Sequence, residues 1–184
     1  YFNYCYSVLS RLVPDSLKMN ILLMDKNLLS PFNQALLQLS TFQFPIFEFN
    51  NKINTNLKID WDLRKTYFKK RENNEFNNLL NEFIPEQIPL IFVEGYNVLR
   101  KDVSKSYPKK PKLIVSENAY YFNESFKIWV ASMAEKGAKI AVFQHGGHYG
   151  SGLFSSFEDH EMRISDIYYS WGWSNKNNEK IISI

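Results

Sequence analysis

LIVSENAYYFNESFKIWVASMAEKGAKIAVFQHGG, residues 113–147, is the stretch whose reading decides the fold. Leu113-Ile114-Val115-Ser116 is a short apolar run with the length and branching of a buried strand. Asn123 is a good N-cap, and Phe126, Trp129, Val130, Met133 and Ala134 come after it at the three-to-four spacing of one helical face. Gly137 stands where a helix of that length ends. Ala138 to Phe143 is then almost uninterruptedly apolar, as a strand covered on both faces must be. Strand, helix, strand in that order demands a crossover, so the two strands should be parallel.

Downstream the pattern continues. Ser155 to Arg163 reads as a short helix with Ser155 and Glu158 as a capping box, and Asp166-Ile167-Tyr168-Tyr169-Ser170 as the next strand. The fold class expected is α/β: a Rossmann-like parallel sheet with helices on both faces. Upstream the reading is mostly helical. Phe2, Cys5, Leu9 and Leu12 fit a helix stopped by Pro14. Ser30-Pro31 opens another, with Phe32, Ala35, Leu36 and Leu39 as its inward face. Phe42 to Phe49 alternates like an edge strand interrupted by Pro45. From Asp60 to Phe83 the aromatic and leucine spacing is helical and Pro85 punctuates it. Leu90 to Asp102 is a further helix with Gly95 as its weak point.

With 184 residues, 45% of them hydrophobic and 16% aromatic, the chain can build a substantial core. A net charge of +3 lacks the concentrated basic stripe of a nucleic-acid surface, so no nucleic-acid partner is expected. The single cysteine, Cys5, excludes an intrachain disulfide and suits a reducing compartment. No apolar run is long enough to span a bilayer. The expected location is the cytoplasm, with the inner face of the membrane as a place of peripheral association.

All three histidines, His145, His148 and His160, fall in one short segment that begins at the end of the second strand. Histidine titrates near neutral pH, and glycine lets a ligand approach the backbone. In parallel sheets ligands sit beyond the carboxyl ends of the strands. Ser116-Glu117-Asn118, after the neighbouring strand, should line the same rim. The segment admits three readings. His145 is a general base, with Gly146 and Gly147 N–H groups facing an anionic donor. Alternatively His145, His148 and His160 bind a metal with Glu158 or Glu161. Or His145 only packs under a tight turn. Glu158 and Glu161 share a helical face and either favour the helix N-terminus or orient His145. Arg163 either pairs with Asp159 or aims at a phosphate. Trp171-Gly172-Trp173 is either a sugar-stacking platform or a hydrophobic plug.

Gln144-His145-Gly146-Gly147-His148-Tyr149-Gly150, Glu158-Asp159-His160-Glu161 and Ser165-Asp166-Ile167-Tyr168-Tyr169-Ser170-Trp171-Gly172-Trp173 together resemble bacterial transferases linked to surface-carbohydrate biosynthesis. More distantly, the His-Gly turn is similar to that of CDP-glycerol glycerophosphotransferases and capsule Kdo transferases. The strand–turn–helix–strand pattern is similar to the N-terminal half of UDP-GlcNAc 2-epimerases. The resemblance covers about residues 112–184 and implies the N-terminal half of a GT-B-like architecture. Residues 1–174 are then an acceptor-side domain, incomplete at its N-terminus, and 175–184 begin the crossing to a C-terminal domain. It implies His145, Glu161 and Glu158 as catalytic residues. Gln144, Gly146, Gly147, His148, Tyr149, Glu117 and Arg163 are implied as substrate-binding, with no metal ligand. The implied partners are a nucleotide-activated donor and a glycan or lipid-linked acceptor, with no cofactor beyond that donor. Expected alternatives are a nucleotide-sugar epimerase, a metal-dependent hydrolase, or a carbohydrate-binding module without catalysis.

Overall fold

The computed structural model describes residues 14, 21–23, 29–45, 56–67 and 74–184; the helix expected over residues 2–12 and residues 46–49 of the strand expected over 42–49 lie outside them, and residues 42–45 are turn and irregular chain, not strand. Two compact units form, one from residues 1–50 and 106–184, the other from 51–105.

The first unit is built on a five-stranded parallel sheet in sequential order: β1 (Ile21–Leu23), β2 (Leu113–Ser116), β3 (Lys139–Phe143), β4 (Ile167–Ser170) and β5 (Ile181–Ser183). The sheet and its flanking helices make the unit α/β and Rossmann-like. The direction of travel across the sheet does not reverse among the described strands. The site is therefore positioned by the carboxyl-end rule alone, without a switch point.

Register explains the burial. Val115 pairs with Ala141, and Ala141 with Ile167, so these share one sheet face, where Leu29, Leu113, Phe143 and Tyr169 pack around them. Ile114, Val142 and Tyr168 project from the other face and are fully buried. Each such aliphatic side chain contributes about 1.5–3 kcal/mol when fully removed from water.

The helices obey their local signals with instructive exceptions. In α1 (Pro31–Ser40) the Ser30 hydroxyl accepts from Asn33 N–H at 3.3 Å, as a cap should. Its expected inward face is nevertheless turned out: Phe32, Leu36 and Leu39 are exposed, while Gln34 and Gln38 are buried. Periodicity defines a face but not what it meets. Here two glutamines four apart turn inward, and both engage partners.

In the second unit α2 (Trp61–Tyr67) and α3 (Glu75–Gln87) form as the spacing predicts. Pro85 lies inside α3 because a proline in the last turn removes one bond only, and Ile88 N–H still reaches Ile84 O at 3.1 Å. The single helix expected over 90–102 is instead a 3₁₀ turn, Leu90–Phe92, followed by α4 (Tyr96–Ser106). Gly95 sits at the break, where an added Cβ would lie 2.6 Å from Leu57 Cδ1 and 3.0 Å from Ile91 Cα.

Between β2 and β3 come α5 (Ala119–Phe122) and α6 (Glu124–Ala134). Asn123 caps α6 through Phe126 N–H at 3.0 Å. Phe126, Trp129 and Met133 are buried as expected, whereas Val130 is half-buried and Ala134 exposed. The helix closes where Gly137 takes φ +92° and Ala138 N–H returns to Met133 O. The last helix, α7 (Ser156–Ile164), packs on β3 and β4. Asp166 fixes the start of β3 by accepting from Ile140 N–H and Lys139 Nζ, which hold its carboxyl below its ordinary pKa. Among the described residues no helix is long and apolar enough to cross a membrane.

The second unit is clamped by one buried ion pair. Arg64 Nε and Nη2 donate to the two carboxylate oxygens of Glu94 at 2.6 and 2.8 Å, and Nη1 donates to Ile88 O at 3.0 Å. The hydrogen bonds from Arg64 lower the Glu94 pKa from 4.5 to about 2 against the opposing effect of burial. A depressed carboxylate stabilises the fold above its unfolded value and loses that contribution as pH falls through its folded value. Acid unfolding of this unit should therefore steepen between pH 4.5 and about 2. Glu94→Gln should remove that acid-sensitive step and cost about 3–5 kcal/mol at neutral pH, read by urea unfolding, because it leaves Arg64 buried without a counter-charge.

Candidate active site

β3 delivers Gln144 and His145 to the carboxyl edge of the sheet, and α7 brings Glu161 back beneath them. Glu161 is completely buried, yet three groups converge on its Oε1: the Tyr149 hydroxyl donates at 3.0 Å, the Tyr121 hydroxyl at 3.1 Å, and His145 Nδ1 lies 2.9 Å away. The imidazole approaches at ion-pair distance but off the line of a well-formed hydrogen bond. Nδ1 is buried while the His145 side chain is 27% exposed, so its accessible part is the rest of the ring, where Nε2 lies.

The electrostatics agree with this geometry. Burial pushes the Glu161 carboxyl above its ordinary range, opposed by His145 and by the hydroxyls of Tyr149, Tyr121 and Tyr168. Those tyrosines answer in kind. Burial, then the Glu161 charge, pushes Tyr149 up to about 12 and raises Tyr121, Tyr168 and Tyr120 as well. All four stay protonated, as donors, at neutral pH.

The loop is set by side chains turned onto it. Gln144 is buried: its Nε2 donates to Gly146 O at 2.6 Å, and its Oε1 accepts Trp171 N–H and Trp173 Nε1–H, both at 2.8 Å. It positions the turn and faces inward. Gly150 takes φ +77°, and a Cβ there would lie 2.7 Å from the Trp173 ring. Trp173 thus packs under the turn, while the Trp171 side chain is exposed. A Cβ on Gly146 would meet the Tyr149 ring at 2.8 Å, whereas Gly147 has open space beside it.

Glu158 and Glu161 do share a face, and both point to this loop. The Ser155 hydroxyl caps α7 through Glu158 N–H, but the Glu158 carboxylate does not close the box; it accepts from Gly150 N–H at 3.2 Å. His148 is exposed, its Nε2 3.4 Å from Ser155 Oγ and its ring edge-on to Tyr149 at 4.6 Å. His160 is exposed beside Tyr121 and Tyr120. The three histidines are therefore spread around tyrosine rings, and among the described residues no three His, Cys, Asp or Glu side chains gather as metal ligands. Glu117 follows β2, its carbonyl accepting the Tyr120 hydroxyl at 2.6 Å. Arg163 is exposed, and forms no ion pair with Asp159 among the described residues.

A family model described as LIC12162 family transferase matches residues 1–184. The chain belongs to that transferase family. It is an enzyme family, so a donor and an acceptor are implied in general for this chain. No curated protein and no solved structure matches the chain.

Sequence reading missed Tyr121 and Tyr168 in this transferase. The available signal was Tyr121, three residues beyond the Ser116-Glu117-Asn118 rim: a tyrosine drawn inward normally finds a partner for its hydroxyl. Phe122 and Phe157 flank it, both exposed, and Leu153 and Phe154 stand out from the loop beyond His148.

Gly150→Ala should destabilise the fold by at least about 1 kcal/mol, because it combines a left-handed backbone with a clash against Trp173. Thermal unfolding checks this; an unchanged melting temperature would mean the loop is not held as described.

Proposed function

We propose that this protein is the acceptor-side part of a GT-B-like transferase. It moves a sugar or glycerophosphate group from a nucleotide-activated donor to a hydroxyl in surface-polysaccharide biosynthesis. The observation that carries the reading is His145 Nδ1 held 2.9 Å from a fully buried carboxyl, with the other side of the ring accessible. A carboxylate behind Nδ1 fixes the tautomer, leaves the Nε2 lone pair outward and stabilises the imidazolium once formed.

In the proposed step the acceptor O–H gives its proton to His145 Nε2. The acceptor oxygen bonds to the anomeric carbon, or to phosphorus in the glycerophosphate case. The bond from that centre to the nucleotide breaks, and the nucleotide leaves with the bonding pair. Among the described residues the backbone N–H groups of Gly146 and Gly147 meet no acceptor, which suits an anionic donor at this loop. Glu158 and Gln144 support the loop, and His148, Tyr149 and Arg163 border it. The exposed Phe122, Leu153, Phe154 and Phe157 favour a lipid-linked acceptor, taken up at the inner face of the membrane. The step as written uses no cofactor beyond the donor.

His145→Ala in the full-length protein should lower transfer from nucleotide-activated sugars at least about 100-fold, the scale of a lost general base. Far-UV circular dichroism should be unchanged. Release of free nucleotide at the wild-type rate by this variant would refute the assignment.

A further inference from the structure

Tyr121 lies outside the family-like motif and outside the histidine loop, on the segment after β2. It nevertheless reaches both His145 and Glu161. Its hydroxyl donates to Glu161 Oε1 at 3.1 Å and lies 3.2 Å from Phe157 O, and its ring centroid is 5.6 Å from that of His145. The ring is also within 5.9 Å of His160 and 5.3 Å of Phe157. One side chain thus braces both the imidazole and the carboxylate behind it.

The chemistry asks for such a brace. Burial alone drives a carboxyl toward its neutral form. A neutral Glu161 could hand its proton toward Nδ1 only as a donor, which would place the imidazole proton on Nε2 and leave no outward lone pair. Two hydroxyl donors on a single oxygen, with an imidazole nitrogen 2.9 Å from it, suit an anion better than an acid. The Tyr149 and Tyr121 hydroxyls donate to Glu161 and His145 lies at ion-pair distance, each opposing its protonation, with Tyr168 and Tyr120 close by. Tyr149 belongs to the histidine loop itself. Tyr121 comes from a different crossover, so it ties the β2 edge of the sheet to the pair.

We propose that Tyr121 is a positioning residue of the His145–Glu161 pair: its hydroxyl keeps Glu161 a carboxylate and its ring holds the imidazole plane, so that His145 carries its proton on Nδ1 and presents Nε2 outward. The proposal rests on the reading of His145 as the base, and its test needs no substrate. Ring-nitrogen NMR of the full-length protein, at a pH where His145 is neutral, reports which nitrogen bears the proton. The His145 signals are assigned by their loss in His145→Ala.

Wild type should show His145 in the Nδ1–H form. Tyr121→Phe, which keeps the ring and removes only the donor, should move the tautomer ratio toward Nε2–H by about tenfold, the scale of one hydrogen bond to a charged group. Tyr121→Phe with the wild-type ratio would overturn the proposal, since a purely packing role leaves the tautomer alone. Should that variant lose its fold, wild type decides: an Nε2–H imidazole at His145 would overturn the proposal, and an Nδ1–H imidazole supports it. Failure of the base reading has a separate mark, transfer that survives His145→Ala while the tautomer result stands.

Discussion

A carboxyl group with no exposed surface organises this protein's edge. Glu161 sits on α7, and separate elements reach it: the loop after β3 through His145 and Tyr149, and the crossover after β2 through Tyr121. A buried carboxylate is costly unless its lone pairs are satisfied. The hydroxyls that donate to its Oε1 bring these separate pieces of chain to one point, while Oε2 is buried without a hydrogen-bond partner among the described residues. That constraint sets the position of the exposed face of His145.

The fold around this point was legible because its signals are local. Residues 113–116 and 139–143 alternate between two buried faces, Asn123 and Ser155 cap α6 and α7, and Gly137 permits the turn between helix and strand. Each depends on a few neighbouring residues. The misread elements depend on distant partners. The Phe32–Leu36–Leu39 stripe of α1 has the right period and faces outward. Gly95 breaks a helix because Leu57, far away in sequence, packs against it.

The site divides along the same line. His145, Glu161 and Glu158 could be picked out because glycines, a strand end and helical spacing surround them. That Gln144 would be buried as a brace, and that Tyr121 would complete the centre, depends on contacts across the sheet edge that no spacing encodes. The histidine cluster likewise separated on folding: His145 turned to the carboxylate, and His148 and His160 turned to solvent.

The central claim is that His145 and Glu161 act as one proton-handling unit, and a double-mutant cycle on transfer tests it most directly. His145→Ala, Glu161→Gln and the double variant are compared by turnover in the full-length protein. A pair acting as a unit predicts that the double variant is no slower than His145→Ala alone. Losses that multiply, with the double variant slower by the product of the two single effects, would contradict it.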